Sequence, residues 1–195
     1  MRYAALLSGV LLGMLSACRW QAPLVVTEEI YYDDAALTRG KLSVFLAGPS
    51  SHERWRPEAI RLLREGGFKG TIVVPEFRDG VFRKERFDDG KPGTIPKMTR
   101  ASENIMRWET DGIDNATVLV VWMPYTDFAD DRKWTGLSTR GESSRAIEAK
   151  RRGLVLGMPD DAFRSGQDRF HAHRRGLLIH ASLQETIAAA LRELR

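Results

Sequence analysis

Three carboxylates, each located after a short apolar run of this 195-residue chain, are the side chains best suited to chemistry: Glu76, Asp127 and Glu142. Carboxylates can act as nucleophiles and as general acids or bases. Their usefulness depends on whether the fold brings them together. The first question is therefore which secondary-structure elements precede them and where those elements end.

The histidines and the cysteine form no comparable group. His171 and His173 would face one side of an extended segment and could both bind a metal, but a third ligand is not identifiable. A polar loop is the favoured interpretation of this segment. Cys18 is the only cysteine, so no intramolecular disulfide can form, and no Cys/His group has zinc-ligand spacing. We expect neither a metal nor a cofactor.

Five short apolar runs predict the strands that position the carboxylates, and amphipathic segments between them predict helices. The strands are predicted at Leu42–Ala47, Thr71–Pro75, Thr117–Met123, Leu154–Gly157 and Leu177–His180, and the helices at Pro57–Arg64, Ser102–Ile113, Ser143–Arg152 and Leu183–Leu194. Strands that alternate with helices form a parallel, doubly wound α/β sheet, and we expect the flavodoxin-like order with helices on both faces. Ligands of such sheets bind outside the carboxyl ends of the strands, which is where the polar loops lie.

The N-terminus has the features of a secretory signal. Arg2 precedes an apolar stretch from Ala4 to Leu15, which is too short to span a membrane comfortably. The following Leu15-Ser16-Ala17-Cys18 resembles the bacterial lipobox, which implies a lipidated Cys18 that anchors the protein to the membrane of the cell envelope. The alternative is an ordinary first helix or a wrongly assigned start codon, with a cytoplasmic protein.

Length and composition are those of one soluble globular domain, with 43% apolar and 29% charged residues. We expect a signal at residues 1–18, a tether at residues 19–40 and the folded domain at residues 41–195. Basic clusters at residues 150–152 and 171–175 contribute to a net charge of +4. Solvated helix faces explain these clusters better than a nucleic-acid surface, because no recognised binding module accompanies them.

Several short motifs follow one another on the expected loops. They are Phe45-Leu46-Ala47-Gly48-Pro49 followed by Trp55, then Val74-Pro75-Glu76, Trp108-Glu109, Val121-Trp122-Met123-Pro124 and Thr139-Arg140-Gly141-Glu142. In this order and spacing they resemble the nucleoside 2-deoxyribosyltransferase-like family, over roughly residues 41–164. None of the motifs is specific when taken singly.

The resemblance implies a retaining mechanism in which Glu142 attacks the anomeric carbon of a nucleoside and the base leaves. Asp127 is the preferred second acid, because the alternative, Asp114, precedes the third predicted strand. The implied substrate-binding residues are Ala47, Gly48, Pro49, Trp55, Glu76 and Thr139. Without the resemblance, Glu142 is explained as a first-turn glutamate favoured by the helix dipole, Trp55 as a core residue and Thr139 as a helix cap.

Two departures from the family pattern leave the substrate and the activity open. The transferases carry an aspartate shortly before the nucleophile, where this chain has Thr135-Gly136-Leu137-Ser138, and a glycine soon after it, where this chain has Ser143-Ser144. Hydrolysis of a nucleoside, or of another N-glycoside, is therefore an alternative to transfer. A second alternative is an envelope module that binds a nucleoside or nucleotide without turnover. The resemblance also implies a homo-oligomer in which a neighbouring subunit completes the site.

Overall fold

A computed structural model describes residues 28–49, 55–79, 100–124, 137–149, 151–162 and 165–195. The strands are β1 (Glu29–Ile30), β2 (Ser43–Ala47), β3 (Thr71–Val73), β4 (Val118–Trp122), β5 (Leu154–Gly157) and β6 (Ile179–His180). The helices are α1 (Trp55–Glu65), α2 (Arg100–Asn115), α3 (Leu137–Glu148), α4 (Gly166–Arg174) and α5 (Leu183–Glu193). Cys18 and Asp127 lie outside the described residues.

The six strands form one parallel sheet in the order β1-β3-β2-β4-β5-β6. Without β1, the other five strands have the order 2-1-3-4-5 in their own sequence, which is the flavodoxin-like order. The predicted doubly wound α/β fold is therefore confirmed, and the sheet has six strands instead of the five expected.

Alternate residues of the two central strands face two separate cores, as the two-residue period of a strand requires. Val44 and Leu46 of β2 pack with α1 and α5 on one face, whereas Phe45 and Ala47 pack with α2, α3 and α4 on the other. All five residues of β4 are buried. Helices cover both faces, which explains why these strands are continuous apolar runs.

The tether predicted for residues 19–40 is wrong for its described part, which begins at Glu28. β1 pairs with β3 at the edge of the sheet, and Ile30 and Leu37 are buried. The pairing depends on backbone hydrogen bonds, such as those that Ile72 N and Val74 N donate to Glu28 O and Ile30 O, both at 2.8 Å. A strand of two residues is too short to produce a visible periodicity, so β1 could not be recognised from the sequence.

Two helices also differ from prediction. α3 begins at Leu137, six residues earlier than expected, so Glu142 lies in its second turn, where the helix dipole is weaker. The predicted polar loop around His171 and His173 is wrong, because both lie in α4. Residues two apart on a helix point about 200° apart, so these histidines do not face one side. The apolar residues of α4 are only Phe170 and Ala172, and Phe170 is exposed, so the segment lacks an apolar stripe.

α5 begins as predicted. Ser182 Oγ accepts a hydrogen bond from Glu185 N, and the Glu185 side chain accepts one from Ser182 N, which completes the capping box. Within the part of the chain that the structure describes, no helix has the length and apolar character needed to cross a bilayer.

Gly112 and Gly141 are helical glycines whose surroundings predict opposite effects of substitution. A Cβ at Gly112 of α2 would lie 2.6 Å from Phe45 Cε2, whereas a Cβ at Gly141 of α3 meets no atom within 4 Å. Gly112→Ala should lower the free energy of unfolding by about 1–3 kcal/mol, because it overpacks the core. Gly141→Ala should raise it by about 0.5–1 kcal/mol through helix propensity. Urea denaturation of both variants tests this, and a Gly112→Ala protein as stable as Gly141→Ala would contradict it.

Candidate functional site

The predicted loops meet at the carboxyl edge of the sheet. β2 pairs with β3 and with β4 in parallel, with Phe45 opposite Val73 and Ala47 opposite Val121. The chain therefore leaves the three strands on the same side of the sheet. Ala47, Gly48, Pro49 and Glu76 lie on this edge, as the sequence predicted.

Arg56 joins the loops that follow β2 and β3, although its side chain is only 2% exposed. Its Nε donates to Leu46 O at 3.0 Å, and its Nη2 donates to Gly48 O. Its Nη1 pairs with the Glu76 carboxylate and approaches Pro49 O at 3.5 Å. Burial lowers the pKa of Arg56 and the charge of Glu76 opposes this effect. One guanidinium thus fixes the positions of both loops.

Arg56 was not among the residues predicted for the site, but the sequence contains a signal for it. Arg56 is followed by buried residues of α1 at helical spacing, Ala59, Ile60 and Leu63. An arginine at such a position lies on the apolar stripe of the helix. Because a buried charge requires a partner, this pattern predicts a carboxylate nearby, which is Glu76.

Trp55 supports the loop after β2 from within the core. It is 4% exposed, and its Nε1 donates to Pro49 O at 3.1 Å. A Cβ at Gly48 would lie 2.5 Å from Trp55 Cζ2 and 2.6 Å from Trp122 O, so only glycine fits between them. The described contacts of Trp55 are therefore with the protein itself, and a contact with a bound base stays a prediction.

Glu142 has the environment of a functional carboxylate. It is partly buried, and burial together with the charge of Glu109 raises its pKa to about 7, against the lowering effect of Arg56 and Arg145. Among the described residues, no donor forms a hydrogen bond with this carboxylate. Glu142 can therefore be protonated or ionised near neutral pH, which suits a nucleophile or a proton donor.

Tyr32 and Glu109 also lie in the site, although neither was predicted to be a site residue. The Tyr32 hydroxyl donates a hydrogen bond to Glu109 Oε1. The Tyr32 ring packs edge-on against Phe77 and Trp108, with centroid distances of 5.2 and 5.1 Å. Glu109 belongs to one of the motifs quoted above, and this motif was the only signal for it. Tyr32 lies in the segment predicted to be a tether, so nothing pointed to a role for its hydroxyl.

Glu109 of α2 and Glu142 of α3 lie close enough for the charge of Glu109 to act on the Glu142 carboxyl. α2 and α3 run in the same direction, because each precedes a strand of a parallel sheet and both pack against the same core. Glu109 precedes the end of α2 at Asn115 by six residues, and Glu142 precedes the end of α3 at Glu148 by six residues. Both carboxylates thus lie on helices that contribute residues to the same core.

No protein-family model matches this chain, and no curated protein matches it. The assignment to the nucleoside 2-deoxyribosyltransferase-like family therefore stays a prediction from the motifs. Three of the motifs include or directly follow β2, β3 and β4, whereas Trp108-Glu109 lies in α2 and Thr139-Arg140-Gly141-Glu142 lies in α3.

Three further residues singled out in the sequence lie on α2 and α3. Asp114 lies in the last turn of α2, far from the carboxyl edge, and accepts a hydrogen bond from Arg145 Nη2 at 2.9 Å. Thr139 is the third residue of α3, and its side chain lies outside the described part. Ser143, the first residue of the Ser143-Ser144 pair, is fully buried, and its hydroxyl donates to Asp168 of α4 at 3.1 Å. This bond gives Ser143 a structural role between α3 and α4.

The basic clusters have local partners. His171 Nδ1 lies 3.0 Å from Glu148 Oε1, and Arg175 pairs with the same carboxylate. Arg151 Nη2 donates to Ile113 O and Ala116 O at 2.7 and 2.6 Å, which stabilises the carbonyl end of α2. Among the described residues, no three His, Cys, Asp or Glu side chains are grouped so that they could hold a metal ion.

Proposed function

We propose that this protein is an N-glycosyl-transferring or N-glycoside-hydrolysing enzyme that works by a retaining mechanism through Glu142. The observation that supports this most is the partly buried Glu142 carboxylate, located near the carboxyl edge of a flavodoxin-like sheet and beside Glu109. The resemblance of the loop motifs to nucleoside 2-deoxyribosyltransferase-like proteins supplies the substrate class, a nucleoside or a related N-glycoside.

In the first step, an oxygen of ionised Glu142 forms a bond to the anomeric carbon while the bond from that carbon to the base nitrogen breaks. The base takes the electron pair of the broken bond and a proton from a second acid, for which Asp127 is proposed. In the second step, water or another base attacks the anomeric carbon of the glycosyl ester, and the bond from that carbon to the Glu142 oxygen breaks and releases the carboxylate. The second acid, ionised since the first step, takes the proton that the attacking water or base loses. A covalent intermediate divides one difficult displacement into two easier ones. Neither a metal nor a cofactor takes part in this scheme.

Intact-protein mass spectrometry tests the proposal. The purified chain is incubated with a panel of ribonucleosides and 2-deoxyribonucleosides, and both free base and a glycosyl adduct on the protein are measured. We expect an adduct that is lost in Glu142→Gln. Because Glu142 must be ionised to attack, the rate of adduct formation should fall roughly tenfold per pH unit below pH 7.

Glu148→Gln is the matched control, since Glu148 lies on the same helix and pairs at the surface with His171 and Arg175. It should form the adduct at the wild-type rate. Base release that continues unchanged in Glu142→Gln would rule out Glu142 as the nucleophile.

A second candidate function is a module that binds a nucleoside or nucleotide without turnover. It is favoured by Thr135-Gly136-Leu137-Ser138, which lacks the aspartate of the transferases. Protonated Glu142 would then serve as a hydrogen-bond donor to the ligand. Thermal stabilisation by nucleosides without any base release would support this function.

The lipobox resemblance leads us to propose that either activity is located at the cell envelope, with the chain anchored to the membrane through Cys18. Metabolic labelling with a fatty acid tests this, and Cys18→Ala should remove both the label and the association with membranes. A wild-type chain that takes up no label would instead support a cytoplasmic location.

A further inference from the structure

Tyr32 reaches the site from the sheet edge and is held from several sides. It is the second residue after β1, and its backbone N donates to Glu76 O at 2.9 Å. The ring lies between Phe77 and Trp108, and Trp108 Nε1 donates to Asp34 O at 3.3 Å. The segment that follows is also fixed, because Asn115 Nδ2 donates to Leu37 O at 3.1 Å. The hydroxyl of Tyr32 is therefore presented to Glu109 in a defined position.

The two neighbouring carboxylates differ in their donors. Glu109 accepts the Tyr32 hydroxyl, whereas Glu142 accepts no hydrogen bond from the described residues. Two described cations also act on these groups: Arg56 of α1 favours the ionised forms of Tyr32 and Glu142, and Arg145 of α3 favours the ionised form of Glu142. A hydrogen bond donated to a carboxylate favours its ionised form, and an ionised neighbour makes it harder for a second carboxylate to lose its proton.

We propose that Tyr32 is a positioning residue of the site: its hydroxyl holds Glu109 in the ionised form beside Glu142, so that the last proton of the pair resides on Glu142. This inference rests on the proposed function, because the protonation state of Glu142 affects the reaction only if Glu142 is the nucleophile. It also assigns a site residue to the segment that follows the predicted lipid anchor. Glu142 then becomes the later of the two carboxylates to ionise as the pH rises.

The test is a carboxyl NMR titration of the full chain labelled with ¹³C-glutamate, in which Glu109→Gln and Glu142→Gln spectra assign the two signals. Tyr32→Phe keeps the ring and removes only the hydroxyl. We expect the interval between the titration midpoints of Glu109 and Glu142 to narrow by about one pH unit. This is the pKa change that corresponds to the loss of one hydrogen bond to a charged group. An interval that is unchanged or wider overturns the proposal.

Tyr31→Phe is the matched control. Its hydroxyl lies 2.8 Å from Glu29 Oε2, and the side chain packs with the core on the opposite face of the sheet. This variant should leave the interval unchanged. If Tyr32→Phe fails to fold, Glu109→Gln serves instead, because it removes the charge that Tyr32 holds, and the midpoint of Glu142 should then fall. A midpoint of Glu142 that does not fall in Glu109→Gln also overturns the proposal.

The titration requires no substrate, so it is independent of the test of the proposed function. A narrowed interval without any glycosyl adduct would support the role of Tyr32 and reject glycosyl transfer. An adduct that depends on Glu142, combined with an unchanged interval, would support glycosyl transfer and reject the role of Tyr32.

Discussion

Arg56→Met is expected to lower the free energy of unfolding by about 3 kcal/mol, the lower end of the cost of breaking a buried ion pair, because Glu76 is partly exposed and water can solvate its charge. Methionine fills part of the volume of arginine but donates no hydrogen bonds. The carbonyls of Leu46 and Gly48 would lose the donors that the guanidinium supplies, and Glu76 would lose its partner. Unsatisfied polar groups in a buried site add directly to the loss. Urea denaturation at pH 7 measures it.

Arg61→Met is the matched control for this substitution on the same helix. Arg61 is about half exposed and pairs with Glu58 and Glu65 at the surface. Because exposed ion pairs contribute little, this variant should differ little from the wild type. Arg56→Lys should be intermediate, because an ammonium group keeps the charge but cannot reach all the acceptors of a planar guanidinium. Equal stability of Arg56→Met and Arg61→Met would show that the buried arginine does not hold the loops together.

The sheet could be predicted from the sequence where the strands are buried on both faces. β2 and β4 are continuous apolar runs because helices cover both sides of the sheet, so periodicity and length were sufficient to find them. β1 could not be found in this way, since backbone hydrogen bonds at the sheet edge place it and its two residues show no pattern. α4 was missed for a similar reason, because it buries only a small part of its surface.

The residues of the candidate site could likewise be predicted only where a local sequence pattern points to them. Glu76 and Glu142 could be proposed because they follow recognisable strands, and the fold places their loops or helices at one edge. Tyr32 could not be proposed as a site residue. Its contact with Glu109 joins residues 77 positions apart and depends on β1, which was not predicted. Arg56 was predictable in principle from its place in the apolar stripe of α1. Contacts between distant residues are set by packing, which a local pattern does not contain.

Arg56 and Tyr32 together explain how this fold can hold a carboxylate that is difficult to ionise. Arg56 fixes the loops after β2 and β3, and Tyr32 fixes Glu109 on α2. Glu142 is partly buried, and its charge is favoured by Arg56 and Arg145 and opposed by Glu109. Burial and the negative neighbour prevail, so the folded protein should be less stable when Glu142 is charged. That cost can be measured without any substrate.

Glu142→Gln is expected to stabilise the protein at pH 8.5 and to leave its stability nearly unchanged at pH 4. Folding raises the pKa of Glu142 from 4.5 to about 7. Well below pH 4.5 the carboxyl is protonated in both the folded and the unfolded chain, so it makes no difference to stability. As the pH rises from 4.5 to 7, the unfolded chain releases this proton while the folded chain retains it, so the free energy of unfolding falls.

Above pH 7 the carboxyl is ionised in both the folded and the unfolded chain, and the free energy of unfolding falls no further. The rise of the pKa from 4.5 to about 7 corresponds to a loss of roughly 3 kcal/mol, and the Glu142→Gln variant should be more stable than the wild type by about this amount. Urea denaturation of both proteins at several pH values gives the difference directly. Glu148→Gln is the control and should have the opposite effect. Arg175 lowers the pKa of Glu148, so the charge of Glu148 stabilises the fold above pH 4.5, and its removal should lower the free energy of unfolding there. A Glu142→Gln advantage that is the same at pH 4 and pH 8.5 would mean that the carboxylate is well solvated and that its environment does not prepare it for chemistry.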